Sequence, residues 1–231
     1  MDKRRETLLA AGLLACVAAA AAAQVAGGFD PRQLPETKGQ VAEYSLTPRG
    51  DVDGVILADG TEVHLPPHLA TQLVFAVKPG DAVSIRGLKA RSVPMIQALS
   101  ITNEADGAEV VDEGIGGPPG PREAAQALTA AGKVKEQLHG PRGDLDGALL
   151  EDGTIVRLPP PEAGRLASML APGAELHVQG SGYEGRLGRV VAAAMIGPDA
   201  SKMVRVAQPP PPPPGGPGFG PGAPPPPPRM P

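Results

Sequence analysis

Residues 48–67 read PRGDVDGVILADGTEVHLPP, and residues 141–160 read PRGDLDGALLEDGTIVRLPP. The same phrase, written twice in one chain, decides the fold. Extended outward, Gly39–Gly87 aligns with Gly132–Gly180 at a constant offset and without a gap, with 22 identities in 49 positions. A two-residue insertion then separates LKARSVPMIQALSI from SGYEGRLGRVVAAAMI. Self-similarity at this length marks a duplicated unit of about 65 residues, the size of a small barrel.

Within a unit, hydrophobic period and turn residues predict five strands and a helix. GQVAEYSL is the first strand; GVIL and TEVHL are the second and third. Asp59-Gly60 between them is a two-residue hairpin signal. PPHLATQLVFAV begins with two prolines, whose missing N–H groups suit a helix start. Its Leu69, Leu73 and Val77 recur every four residues as an apolar stripe, which Leu166 and Leu170 continue in the second copy. KPG and APG end the helix. DAVSIRG and AELHVQG are strand four; MIQALSI and VVAAAMI are strand five.

The order β-β-β-α-β-β, with the helix between strands three and four, is that of an OB-type barrel. The fold class expected is all-β with one short helix per unit: two tandem five-stranded OB-like barrels and a disordered proline-rich tail. The expected divisions are a signal peptide at 1–23, an N-terminal extension at 24–38, barrel one at 39–103, a linker at 104–131, barrel two at 132–197 and the tail at 198–231. REAAQALTAA, at the end of the linker, has the composition of a short helix. The tail, QPPPPPPGGPGFGPGAPPPPPRMP after Ala207, cannot bury a core and favours polyproline II.

The topology and the G-D-x-D-G…D-G-T-x-V-x-L-P-P phrase resemble the tandem OB-fold-like repeat proteins of the bacterial cell envelope, an uncharacterised exported family. The resemblance covers both units and not the tail, and it carries no activity over.

Address is written at the start. MDKRRE is basic, TLLAAGLLACVAAAAAA is apolar, and Ala21-Ala22-Ala23 fits a cleavage site, so export to the periplasm or beyond is expected. The alternatives are an uncleaved anchor and a lipoprotein held through Cys16, the chain's one cysteine; only these bring the protein to a membrane. Cleavage after Ala23 leaves no cysteine, so the cores stand without disulfides. They are aliphatic, since aromatic residues make up 2% of the chain and tryptophan is absent. The formal charge of −4 is the wrong sign for a general nucleic-acid binder.

A two-residue turn pairs Ile56 with Val63, Val55 with His64 and Gly54 with Leu65. Ile56, Val63 and Leu65, with Leu149, Val156 and Leu158, then line the barrels, and Gly54 and Gly147 bend the strands on that face. Val55, Leu57, Glu62 and His64 face out, as do Ala148, Leu150, Ile155 and Arg157. In OB barrels that outer face is the usual ligand platform. With its rim it gives the candidate contacts Arg49, Val55, Leu57, His64, Lys89 and Arg91 in the first unit, and Arg142, Leu150, Arg157, Tyr183 and Arg186 in the second. The platform lacks the stacking aromatics that single-stranded nucleic-acid binding uses, and its aliphatic character suits a protein or another envelope component.

Asp51 and Asp53, with Asp144 and Asp146, precede the second strands. Aspartates there shape turns; as spaced hard oxygen ligands they also offer a divalent-cation site. Arg49-Gly50-Asp51 and Arg142-Gly143-Asp144 belong to the same turn, where the arginine pairs with its neighbour. The four histidines show no ligand spacing and are expected at the surface. No nucleophile elbow and no phosphate-cradling loop ending in lysine is present. The expectation is a binding module without enzymatic activity or cofactor.

Overall fold

Both copies form the hairpin, with one residue more in its loop than the Asp-Gly signal implies. The Leu57 N–H donates to the Thr61 carbonyl and the Gly60 N–H to the Leu57 carbonyl, each at 2.9 Å. The loop is therefore Ala58-Asp59-Gly60. Gly60 sits at φ +83°, and the Asp59 carboxylate accepts the Thr61 N–H at 2.9 Å. This is a turn closed by a left-handed glycine, the three-residue hairpin. Gly153, at φ +82°, and Asp152 repeat it.

The computed structural model describes residues 33–112 and 124–208. Barrel one contains β1 (Glu36–Leu46), β2 (Val52–Leu57), β3 (Glu62–His64), a single 3-10 turn (Pro67–Leu69) running into α1 (Ala70–Ala76), β4 (Ala82–Lys89) and β5 (Met95–Asn103). β1 pairs antiparallel with both β2 and β4, and a parallel pairing of β3 with β5 closes the barrel. β6 (Glu109–Val111) adds to the β5 edge. Barrel two repeats the topology with β7 (Gln126–His139), β8 (Leu145–Leu150), β9 (Thr154–Arg157), α2 (Pro160–Arg165), β10 (Glu175–Gly185) and β11 (Gly188–Gly197), closed by β9 on β11. β12 (Val204–Arg205) pairs with β11. This is the OB strand order, built twice.

The helical segment plugs each barrel as the stripe predicts. Leu69, Leu73 and Val77 are buried, as are Leu166 and Leu170. The Tyr44 hydroxyl donates to the Val77 carbonyl at 2.7 Å, tying the helix end to β1.

The longer loop slips the hairpin register by one residue. Gly54 pairs with His64, Val55 with Val63, and Ile56 with Glu62. A slip of one residue turns every side chain of a strand to the other face. Val55, Leu57, Val63 and Leu65 point into barrel one. Ile56 and Gly54 point out, beside Glu62 and His64. In barrel two Ala148, Leu150, Val156 and Leu158 join that barrel's interior, while Leu149 and Ile155 pack into the core shared with barrel one. The expectation that Val55, Leu57 and Leu150 lie on an outer platform is thus overturned, and so is the inward placement of Ile56 and Leu149. The aliphatic run Val55-Ile56-Leu57 is buried on both sides, so alternation held no information about which side was inside.

Gly54 and Gly147 lie on the outer face, where their partner strands come too close for a side chain. A Cβ there would stand 2.0 Å from the Val63 carbonyl oxygen and 2.1 Å from that of Val156. Each glycine lets two backbones meet at the bend.

The segment expected as a helix before barrel two is instead the start of β7. Gln126 to Lys133 pair with β10 from Gly182 back to Glu175. Eight ladder pairs outweigh the helix preference of alanine and leucine, a weak prior of tenths of a kcal/mol per residue. Barrel two also extends past 197: Val206 is buried in it, and Gln208 donates from its side chain to the Ala193 carbonyl at 2.9 Å. The expected signal peptide with Cys16, and residues 209–231 of the expected tail, lie outside the described residues, as does 113–123 of the expected linker.

Candidate functional site

The outer faces of the two barrels pack against each other. Strand pairing puts Glu43, Ser45, Gly54, Ile56, Glu62 and His64 on one face of barrel one. The equivalent residues of barrel two are Glu136, Leu138, Gly147, Leu149, Ile155 and Arg157. Leu138, Leu149, Ile155 and Val190 belong to the same buried cluster as Leu46 and Ile56. The contact is reciprocal: the Gly60 turn lies against Glu136, and the equivalent Gly153 turn lies against Glu43. Duplicate surfaces meeting this way make the pseudo-symmetric version of a self-complementary dimer contact.

Where the copies differ, the interface is polar. His64 and Arg157 occupy equivalent positions and both are buried. The Arg157 guanidinium donates to the Leu46 carbonyl at 3.0 Å, to the Ser45 hydroxyl at 2.9 Å and to Asp146 at 2.6 Å, with Asp53 at 4.0 Å. On the other side of the pseudo-twofold, Glu62 accepts the His139 backbone N–H with both oxygens at 2.9 Å and meets His139 Nδ1 at 2.8 Å. His64 Nε2 stands 3.7 Å from Glu62, and neither of its ring nitrogens has a hydrogen-bond partner. His64 and His139 are interface groups, against the expectation of surface histidines. Burial pushes the Glu62 carboxyl up, but the hydrogen bonds from His139 and the nearby His64 ring outweigh it and hold the group below its ordinary value.

The remaining candidates fall into three groups. Val55, Leu57 and Leu150 are barrel interior. His64 and Arg157 are interface. Arg49, Arg91, Arg142 and Arg186 are exposed on the rim loops and Lys89 at the end of β4, with Arg142 3.8 Å from Asp144. Tyr183 is half-buried and crosses to the other barrel: its ring covers Gly50, and it also covers Gly185 of its own hairpin. Val93 approaches Gly143 in the equivalent place. Each barrel's β4–β5-type loop therefore hooks onto the other's first turn. Asp53 and Asp146 flank Arg157, while Asp51 and Asp144 stay exposed in the turns. Among the described residues no group of three or more His, Cys, Asp or Glu is arranged to hold a metal ion. Sequence reasoning missed Ser45, Glu62 and His139; the only signal was that they replace or face unlike residues at equivalent positions of the repeat.

Three carboxyls at this interface are raised. Burial lifts Glu43, Glu136 and Asp146, against Lys135 for the first two and Arg157 for the third. Glu136 Oε1 is buried without a partner. An acid raised in the folded state costs stability above its folded value, and the cost fades as pH falls toward the ordinary 4.5. Glu62, held low, acts oppositely and loses its contribution below 4.5. Stability is expected to rise on mild acidification from neutrality and to fall below pH 4.5. Glu136→Gln should raise stability at pH 7 by up to about 0.5 kcal/mol, after allowing for solvent screening, and flatten the rise. Urea midpoints at several pH values check this.

Of the three concavities found among the described residues, two are lined by both barrels. A cleft of about 700 Å³ runs along the seam, lined by Glu43, Leu46, Glu151, Asp152, Glu184 and Arg186 among others. A groove of about 300 Å³ lies between the first turn of barrel one, α1 and the Tyr183 hairpin.

No protein-family model matches the chain, and no curated protein sequence matches it. Among solved structures, the deletion mutant of the single-stranded DNA binding protein from Thermus aquaticus is similar, at 16% identity and a TM-score of 0.20, with 77% of this chain and 96% of that one covered. A likeness at that score carries no argument; the OB assignment rests on strand order.

Proposed function

We propose that the protein is an exported, non-enzymatic binding module that engages a protein or envelope component through the seam cleft. One observation carries this reading: the two OB platforms bury each other, which leaves the cleft of about 700 Å³ as the large open concavity. That volume is within the range of ligand sites. Its walls carry four acids, Glu43, Glu151, Asp152 and Glu184, against Arg186 and Arg189. The complementary ligand is a basic, extended segment of a partner, attracted by the charge and gripped by both barrels at once. The covered platforms and the acidic cleft both speak against nucleic acid.

The test is capture from envelope extract with the wild-type chain and with the Glu151→Lys/Glu184→Lys variant. Both side chains are exposed, so the fold is untouched. A defined basic species retained by wild type and lost by the variant supports the proposal. Equal capture by both proteins refutes the cleft, and a salt-sensitive oligonucleotide shift by wild type refutes the ligand class.

A further inference from the structure

We propose that the partner's extended segment, after crossing the seam cleft, adds as a strand to the open edge of β7 between Ala127 and Ala131. The inference rests on the cleft reading above and says how the segment is held. β7 pairs with β10 from Gln126 to Lys133 and with β8 from Val134 onward. The Val134 N–H donates to the Ala174 carbonyl and its own carbonyl accepts the Gly173 N–H, both on the β10 side. Antiparallel bonding alternates along a strand, so Gly132, Ala130 and Leu128 also face β10, while Ala127, Thr129 and Ala131 face away. Two bonds agree with that direction. The Lys133 carbonyl accepts the Glu151 N–H at 2.9 Å, and the Thr129 carbonyl accepts Arg189 Nη2 at 2.6 Å. Among the described residues, the N–H groups of Ala127, Thr129 and Ala131 and the carbonyls of Ala127 and Ala131 have no partner, over a span of about 13 Å.

Exposed edges are ordinarily blunted by charge. Barrel one follows that rule: the equivalent outward positions of β1 are Glu36 and Lys38, paired with Arg86 and Glu104. Barrel two has Thr129 and Ala131 there, and nothing charged from Gln126 to Gly132. The edge also continues the cleft. Asp152 and Arg189 line both the cleft and a cavity of about 270 Å³ whose walls include Thr129 and Ala131. Arg189 is a removable cap between them. Its Nε is buried without a hydrogen-bond partner, 3.4 Å from Glu184. A guanidinium released from Thr129 therefore has a carboxylate at hand, while a ligand N–H takes the Thr129 carbonyl. Glu151 and Asp152, at the turn bonded to Lys133, attract basic side chains on the incoming strand, and main-chain bonds supply the grip. So short an edge is not enough by itself for the roughly 1,200–2,000 Å² that a stable dimer buries, which favours a segment held jointly by cleft and edge over a second copy of the chain.

The probe is an acetylated and amidated peptide of alternating lysine and valine, titrated calorimetrically into the full chain. Ala127→Pro and Ala131→Pro each delete one outward N–H and leave the β10 ladder whole, since proline is tolerated on an open edge. Each is expected to weaken peptide binding at least tenfold. In the wild type, saturating peptide is expected to slow amide hydrogen exchange at Ala127, Thr129 and Ala131 at least tenfold, and to leave Leu128 and Ala130, already facing β10, unchanged. Binding that survives both prolines but is lost in Glu151→Lys/Glu184→Lys overturns the strand pairing and leaves the cleft reading standing. No binding by the wild type overturns the pairing, whatever the envelope capture returns. Slowed exchange that appears with rising protein concentration and no peptide also overturns it, since a second copy would then be the occupant.

Discussion

Arg157→Ala is expected to destabilise the protein by about 3–5 kcal/mol, the cost of breaking a buried charge pair from one side. That is a large share of the roughly 5–15 kcal/mol that holds a domain together. The guanidinium serves four partners: the Leu46 carbonyl, the Ser45 hydroxyl and Asp53 across the barrel interface, and Asp146 of its own barrel. Without it Asp146 is a half-buried carboxylate facing a second acid, Asp53, and one Asp53 oxygen is already buried without a partner. Arg157→Lys should recover little, because a single ammonium cannot reproduce the fork that meets a carbonyl, a hydroxyl and a carboxylate at once. Adding Asp146→Asn to the alanine variant should recover about 1–2 kcal/mol by removing the stranded charge. Urea unfolding of the three variants decides it. A loss under 1 kcal/mol for Arg157→Ala would mean that the arginine spans a wet, open seam and not a packed one.

The second large effect separates two adjacent leucines. Leu149 and Leu150 are both fully buried, so burial alone treats them alike. The hairpin register does not: Leu149 joins the cluster shared between the barrels and Leu150 the interior of barrel two. Each Asp substitution should cost about 4 kcal/mol or more, as burial of an unpaired charge does. Leu149→Asp should pay that cost by parting the barrels, with strand content retained, a larger radius of gyration in small-angle scattering and two unfolding transitions. Leu150→Asp should instead unfold barrel two and leave barrel one. The reverse pattern would restore the two-residue turn and put Val55, Leu57 and Leu150 back on an outer face. The Leu149 variant also opens the platforms, so any ligand that they take when uncovered would bind it and not the wild type.

The second result turns on a single loop residue, and that residue marks the boundary of what could be read in advance. The duplication, the strand and helix order, the barrel closure and the aliphatic cores all follow from local signals. Period, Asp-Gly turns and proline starts act over a few residues and hold wherever the chain goes. The candidate site did not follow, for three reasons that can be named. Asp59-Gly60 supports a two-residue and a three-residue hairpin equally, since both place a glycine at positive φ. Val55-Ile56-Leu57 is apolar at every position, so no alternation says which side chain turns inward. Ala124 to Ala131 favours a helix in isolation and becomes strand only because β10 offers it a ladder.

The amino-acid order by itself determined that there would be two OB barrels and what would fill them. Only the tertiary structure decided that the barrels would meet platform to platform. That contact joins residues far apart in the chain, such as Glu62 with His139 and Ser45 with Arg157. The attraction between two buried surfaces depends on their shape and on the pairing of charges taken out of water together, and neither quantity exists until both barrels have folded.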